Sequence, residues 1–281
     1  MLDCGHQIVV LDRNGSAISS PQLQSFRIDL LRPELFEKSW FEGADAVINL
    51  SGKDILTLWT EKTRKIIRES RITVNRNLID FMGGLPQRPG VFVSASAVGY
   101  YGDKGEREVS EEDGRGKGFL ADVCEAWEAE ARRTESMGMR SVQVRTAPVL
   151  LKGGGILRQL LKSMSFGFTF VFGSGKQWFP WLHMKDLLRI YEEAITNSSL
   201  SGPVNATAPG PIRLRDFLGH LAHYRRAVIL PFPAFLLKLL LQETADVVLF
   251  SQRVLPDKLL KSGFRFSYPE LDGALKEIFG G

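Results

Sequence analysis

The chain has 281 residues, 44% of them hydrophobic and 24% charged. These are the proportions of a globular protein and exclude wholesale disorder. Thirty-six Lys and Arg against 32 Asp and Glu leave a formal charge of +4, an excess too small and too dispersed to call for a nucleic acid or a membrane as partner.

The first residues carry Asp3 in place of a basic stretch and only the short apolar run Ile8 to Leu11. No secretory signal is expected there, and the expected compartment is the cytoplasm. Short apolar runs then alternate with helical patterns, as βαβ units do. Strands are predicted at Gln7 to Leu11, Phe26 to Leu30 and Asp45 to Leu50. A helix is predicted over Thr60 to Met82, where Ile67, Val74, Leu78 and Phe81 share one face. Its other face carries Arg64, Lys65, Arg68, Arg71 and Arg76, relieved by Glu61 and Glu69, and reads as solvated rather than as an anion site.

Val91 to Ala95 is the fourth predicted strand. A second crossover helix follows over Phe119 to Met137, with Leu120, Val123, Trp127 and Ala131 at helical spacing and Gly138 as a left-handed cap. Ser141 to Thr146 is the fifth strand. Beyond it come the Gly153 to Gly155 loop, a helix from about Ile156, and an aromatic stretch through Gly173, Gly175 and Trp178. A helix over Met184 to Asn197, a strand at Val204 to Ala208 and a helix over Leu214 to Arg225 follow. From Val228 onward the pattern is helical and apolar, ending in Gly263 to Pro269 and a short last helix. The run Val228 to Leu241 is broken by Pro231, Pro233 and Lys238 and is shorter than the about 20 residues of a bilayer span. Cys4 and Cys124, and His6, His183, His220 and His223, have no metal-ligand spacing, so neither a disulfide framework nor a metal site is expected.

Strand and crossover helix in alternation imply a parallel sheet covered on both faces, with ligands at the carboxyl ends of its strands. The residues to weigh are those after each strand: Asp12 and Arg13, Asn49 to Gly52, Ser94 to Tyr101, and Arg145 to Pro148.

Several segments at and around these ends occur in a family order. They are Asp45-Ala-Val-Ile-Asn-Leu-Ser-Gly52, Trp59 with Ser70-Arg71-Ile72, Ser94-Ala-Ser-Ala-Val-Gly-Tyr-Tyr-Gly-Asp103 and Phe119-Leu-Ala-Asp-Val-Cys-Glu-Ala-Trp-Glu128. Gly173 to Trp178, Trp181 to Asp186, Ser201 to Asn205, Gln252 to Pro256 and Gly263 to Pro269 continue the series. Together they resemble the extended short-chain dehydrogenases/reductases, the branch of nucleotide-sugar epimerases and dehydratases, and within it the atypical "epimerase family" group called YfcH-like. The resemblance implies an α/β, Rossmann-like doubly wound parallel sheet with a smaller, mainly helical C-terminal lobe. The sheet domain is expected over residues 1–150 with 184–210 returning to it, and the substrate-side lobe over 151–183 and 211–281. The implied cofactor is NADP(H), with NAD(H) as the alternative.

Two departures limit what carries over. The family opens with a strand and a GxxGxxG turn whose amides hold the cofactor pyrophosphate, and no such turn is present. Met1 to His6 resembles the end of that first helix leading into the second strand, so the central strand is expected to be missing, with a truncated start expected over a natural loss. If the start is genuine, strong dinucleotide binding should fail. Typical members also use Ser, Tyr and Lys, the last two in YxxxK. Here Ser96 stands at the serine position, but the other two positions fall at Leu120 and Cys124. Neither does acid–base work of that type, and Cys124 beside Trp127 reads as a buried small apolar residue.

Cofactor contacts are expected at Asp12, Arg13, Asn49, Leu50, Ser51, Gly52, Ser94, Ala95 and Arg145. Asp12 suits the ribose of NAD, Arg13 the 2′-phosphate of NADP, and Arg145 a pyrophosphate or a structural place in the sheet. Ser96, Tyr100 and Tyr101 are the catalytic candidates. Trp178, Trp181 and His183 lie on the substrate side, His183 as a proton donor or a packing residue. Two functions stay open: an NADP-dependent oxidoreductase or epimerase acting on a small molecule, and a noncatalytic nucleotide-binding or interaction protein, such as a cell-division regulator.

Overall fold

Val- and Ile-rich runs separated by amphipathic helices build a layered α/β arrangement in the computed structural model, which describes residues 1–280. In chain order the first elements are β1 (Ile8–Asp12), β2 (Leu23–Arg27), β3 (Ala46–Asn49), α1 (Glu61–Arg68), α2 (Val74–Gly83), β4 (Val91–Ala97), β5 (Glu108–Val109), α3 (Phe119–Arg132) and β6 (Arg140–Thr146). Then come β7 (Val149–Leu151), α4 (Gly155–Met164), β8 (Phe168–Phe172), β9 (Trp178–Phe179), β10 (Leu182–His183), α5 (Met184–Thr196) and β11 (Gly202–Ala206). The chain ends with β12 (Ile212–Arg213), α6 (Leu214–Arg225), β13 (Val228–Phe232), α7 (Ala234–Leu241), α8 (Asp246–Leu249), β14 (Arg253–Val254), α9 (Asp257–Lys261) and α10 (Leu271–Phe279).

Four strands form one parallel sheet in the order β11-β6-β4-β3. Alternation along the strands sends Val91, Val93, Val142, Val144 and Val204 to one face, against Ile190 and Ala194 of α5. Phe92 goes to the other, against Ile79 and Met82 of α2 and Ala131 of α3. Helices thus cover both faces, as right-handed crossovers require. Strands β1 and β2 form a separate parallel pair. Among the described residues, β1 and β3 are therefore each paired along one edge only.

Four sequence expectations are corrected. The second strand lies at Leu23–Arg27 rather than Phe26 to Leu30, because Asp29 ends it with a turn: its Oδ1 accepts from Leu31 N at 3.1 Å and its carbonyl from Arg32 N at 2.9 Å. Ile28 drops instead into the core with Phe36 and Phe41. The run from Val228 opens as a strand, pairing Val228 with Phe168 through Phe232 with Phe172. Pro231 disfavours helix at the residue before it, and helix α7 starts only after Pro233. The expected helix over Thr60 to Met82 is broken by a π-helical turn at Glu69–Thr73. Its basic face is not simply solvated either. Arg64 and Arg68 lie 4.6 and 5.2 Å from the ring centroid of Phe119, and Arg71 lies 5.2 Å from that of Trp127, so three guanidiniums pack on α3.

The C-terminal lobe packs Trp181, Phe217, Leu221, Leu275 and Ile278 into its own core. Strand β14 pairs with β5 and ties the lobe to the segment after β4. Among the described residues no helix is long and apolar enough to cross a membrane.

Candidate functional site

Parallel register places Ser96 of β4 beside Arg145 of β6, and Arg145 beside Asn205 of β11. Above them α3 presents Glu128, and these side chains close into one buried network. Arg145 donates from Nε to Glu128 Oε1 and from Nη2 to Oε2, each at 2.8 Å. Ser96 Oγ donates to the same Oε1 at 2.7 Å. The third arm of Arg145, Nη1, donates to the Tyr101 hydroxyl at 2.9 Å, which in turn lies 2.7 Å from Asn205 Oδ1 and 2.9 Å from the Ser110 carbonyl. Burial works against the Arg145 charge, but the bonds and attraction of Glu128, then of Tyr101, outweigh it and hold the guanidinium pKa above its usual value. Burial drives the Tyr101 phenol the other way, well above the ordinary tyrosine range.

The two adjacent tyrosines therefore differ. Tyr101 is 0% exposed and its hydroxyl is fully engaged. Tyr100 is half-buried, its ring lies 3.6 Å beneath the Arg145 guanidinium, and its hydroxyl has no partner among the described residues. Arg145 itself is 2% exposed with all three nitrogens committed, which takes up the structural role rather than a free anion site.

A second network holds the end of β3. Asn49 Nδ2 donates to Asn75 Oδ1 at 2.6 Å, and Asn75 Nδ2 donates to Ser94 Oγ at 3.0 Å and to the Trp127 carbonyl at 3.2 Å. Asn49 Oδ1 accepts from Ser51 N at 3.0 Å and so fixes the turn into Ser51 and Gly52. Leu50 is 65% exposed beside it, and Ala95 is half-buried. Asp12 and Arg13 are exposed at the end of β1, on the separate strand pair, where Asp12 Oδ1 accepts from Asn14 N at 2.7 Å.

At the positions matching YxxxK, Leu120 packs against the turn after β4, since a Cβ on Gly99 would stand 3.3 Å from Leu120 Cβ. Cys124 is buried, and burial first, then the Glu128 charge, pushes its thiol up to about 12.

The three residues expected on the substrate side are not equivalent. Trp178 is half-buried, with Arg213 and Arg253 at 3.8 and 4.6 Å from its ring and its Nε1 donating to Glu106 Oε2 at 3.1 Å. Hydrogen bonds from Arg213, then Trp178, pull the Glu106 carboxyl down to about 2. A cavity of about 390 Å³ opens beside them, lined by Asp103, Glu106, Lys176, Lys238 and Asp246. Trp181, by contrast, is 1% exposed with its Nε1 donating to the Gly210 carbonyl, so none of its faces is open. His183 is buried at the start of α5. Its Nδ1 accepts from Lys185 N at 3.2 Å, which leaves the proton on Nε2, 3.0 Å from Glu277 Oε2.

Sequence reasoning missed Glu128, Asn75 and Asn205 as members of these networks. Glu128 had a signal, lying four residues beyond Cys124 and hence on the same helix face. Asn75 and Asn205 become legible only through strand and helix packing.

The model of the NAD dependent epimerase/dehydratase family matches residues 1–206, and that of a domain of unknown function, DUF1731, matches residues 232–278. The epimerase family protein SDR39U1 homolog of Arabidopsis thaliana is 40% identical over 244 residues, covering 86% of this chain and 70% of that protein. The epimerase family protein YfhF of Bacillus subtilis is 33% identical over 276 residues, covering 98% of this chain and 90% of its own length. The crystal structure of human epimerase family protein SDR39U1 with NADPH superposes with a TM-score of 0.87 at 28% identity, over 100% of this chain and 93% of that one. UDP-glucose 4-epimerase of Thermus thermophilus, solved with NAD, shares the fold at 19% identity with a TM-score of 0.77, over 100% and 93% of the two chains.

Proposed function

Because this chain belongs to the NAD dependent epimerase/dehydratase family, we propose that it binds NADP(H) at the carboxyl ends of β3 and β4 and acts on a small carbonyl compound or sugar nucleotide by reduction, oxidation or epimerisation. Human SDR39U1, which has the same architecture, was solved with NADPH. When bound, the nicotinamide supplies a hydride donor or acceptor. The residues present fit its approach: Asn49 Oδ1 fixes the turn at Ser51, and the Arg71 guanidinium lies over Gly52 at that turn. Arg13 at the end of β1 is the residue for the 2′-phosphate.

The observation that carries the reading is the contrast at the end of β4. Ser96 and Tyr101 are tied into the Glu128–Arg145 network, whereas the Tyr100 hydroxyl has no partner among the described residues. Tyr100 gives or takes the proton at the substrate oxygen, and the Arg145 guanidinium stacked over its ring holds that ring in place. Leu120 and Cys124 fill the space of the usual Tyr and Lys without replacing their chemistry. The test is NADPH oxidation by the purified chain against a panel of carbonyl compounds and sugar nucleotides. Turnover that falls about 100-fold or more in Tyr100→Phe supports the assignment, and turnover unchanged in that variant refutes it.

A second reading rests on α7, where Phe235 is 70% and Leu239 76% exposed on an otherwise apolar helix. Such a face suits a protein partner and a noncatalytic nucleotide-binding or interaction role. Cofactor binding with no turnover on any substrate of the panel would favour it.

A further inference from the structure

The π-helical turn Glu69–Thr73 between α1 and α2 holds the exit of β3 from two sides. Turns of this kind widen a helix locally and occur frequently at functional sites. Ser70 Oγ accepts from Lys53 N at 2.9 Å. The next residue, Arg71, lays its guanidinium over Gly52 so closely that a Cβ at position 52 would stand 3.0 Å from both Cζ and Nη2. The same guanidinium lies 5.2 Å from the ring centroid of Trp127, the residue on α3 that follows Cys124 by three and shares its face.

Arg71 differs from the other arginines around the site in what it binds. Arg145 has Glu128, Arg76 and Arg133 have Glu130, and Arg213 has Glu106. Arg71 is half-buried, and its hydrogen bonds are two long ones from Nη1, to the Ile67 carbonyl at 3.4 Å and to Ser70 Oγ at 3.5 Å. No carboxylate pairs with it among the described residues. Burial pulls its pKa below the usual guanidinium value, and only Cys124 and Asp54 work in the opposite direction. Trp127 Nε1 nearby is a buried donor with no partner among the described residues. The surface between Gly52 and α3 thus carries a half-buried arginine with no carboxylate partner among the described residues and an indole N–H with no acceptor among them, and such a cation is stabilised by a ligand that brings oxygens to it.

The place matters as much as the charge. By the resemblance to the family, the lysine that holds the nicotinamide ribose in typical members falls near Cys124, which interacts electrostatically with Arg71. We propose that Arg71 replaces that lysine from the opposite helix, its guanidinium donating to the ribose hydroxyls and adjoining phosphate on the nicotinamide half of the dinucleotide. Residue 52 is glycine so that the guanidinium can pass. This rests on the cofactor reading given above and deepens it by naming the cation.

Calorimetric titration of the full chain with NADPH, and separately with adenosine 2′,5′-bisphosphate, tests it. Arg71→Met is expected to weaken NADPH by about tenfold or more, as loss of charge-assisted hydrogen bonds does. Arg71→Lys is expected to recover part of that loss. Both variants should leave the bisphosphate affinity within about twofold. Gly52→Ala, which crowds the guanidinium from the other side, should weaken NADPH in the wild-type background and add nothing to Arg71→Met. NADPH affinity equal in wild type and Arg71→Met overturns the proposal while leaving the cofactor reading intact. An equal loss for the bisphosphate overturns the placement on the nicotinamide half. A wild-type chain that binds no NADPH overturns both.

Discussion

Arg145 and Glu128 meet in a two-point ion pair beneath the ends of the central strands, with two nitrogens donating to two oxygens at 2.8 Å each. Both side chains are almost wholly withdrawn from water, at 3% and 1% exposure. Breaking a buried pair from one side leaves the other charge without compensation. Glu128→Leu or Arg145→Met alone is expected to lower unfolding free energy by about 3–5 kcal/mol. The double variant should cost clearly less than the sum of the two. Urea denaturation of the four proteins measures this, and additive losses would contradict the pairing.

The neighbouring tyrosines are expected to separate stability from activity. Tyr101→Phe removes the acceptor of Arg145 Nη1 and the donor to Asn205, with a cost of about 1–3 kcal/mol for leaving such buried groups unpaired. Tyr100→Phe loses a hydroxyl with no partner among the described residues and should shift stability by no more than about 0.5 kcal/mol. The same denaturation experiment reads both, and a large loss in Tyr100→Phe would contradict the difference.

Cys124 and Cys4 are expected to differ in the same sense. Cys4 is exposed, whereas burial lifts the Cys124 thiol from its ordinary 9.0 to about 12. The folded thiol therefore stays protonated where the unfolded one ionises, so stability is intact below about pH 9 and falls as pH rises from there towards the folded value. At pH 8.5, about the pKa of a free thiol, a disulfide reagent should titrate Cys4 in the native chain and both thiols in denaturant. Rapid reaction of Cys124 in the native chain would contradict its burial.

Glu106 responds to acid. Hydrogen bonds from Arg213 and Trp178 depress its carboxyl to about 2 from the ordinary 4.5. Its clamp on Trp178 contributes above the unfolded value and is lost as pH falls through the folded one. Indole fluorescence followed from pH 6 downwards should therefore show a transition between 4.5 and about 2 that is absent in Glu106→Gln. Identical profiles would show that the clamp does not govern the indole.

How far the sequence reaches is visible in particular residues. The helix Leu214–Arg225 lies where its apolar spacing places it, and period-two strands put Ser96 and Arg145 at neighbouring strand ends. Glu128 was not singled out, because α3 carries Asp122, Glu125, Glu128 and Glu130 and charge type alone does not say which one lies over the sheet. The spacing of four from Cys124 puts Glu128 on the buried face, and the register that sets Ser96 beside Arg145 supplies its partners. Arg71 was assigned to a solvated face for a different reason. An unbroken 3.6-residue period lines it up with Arg64 and Arg68, but neither the π-helical turn nor the aromatic rings of α3 that receive this stripe are visible in a helical pattern. The opening of β13 was missed because an apolar run of that length reads alike as helix or strand, and Pro231 decides between them.

Nicotinamide binding is the claim on which the functional account stands. The most direct test is titration of the chain with NADPH and then NADH, followed by energy transfer from its five tryptophans to the reduced nicotinamide. The account predicts saturable transfer, with NADPH the tighter ligand. A folded chain that shows no saturable transfer with either cofactor up to about 1 mM, the weak end of specific affinity, would contradict it.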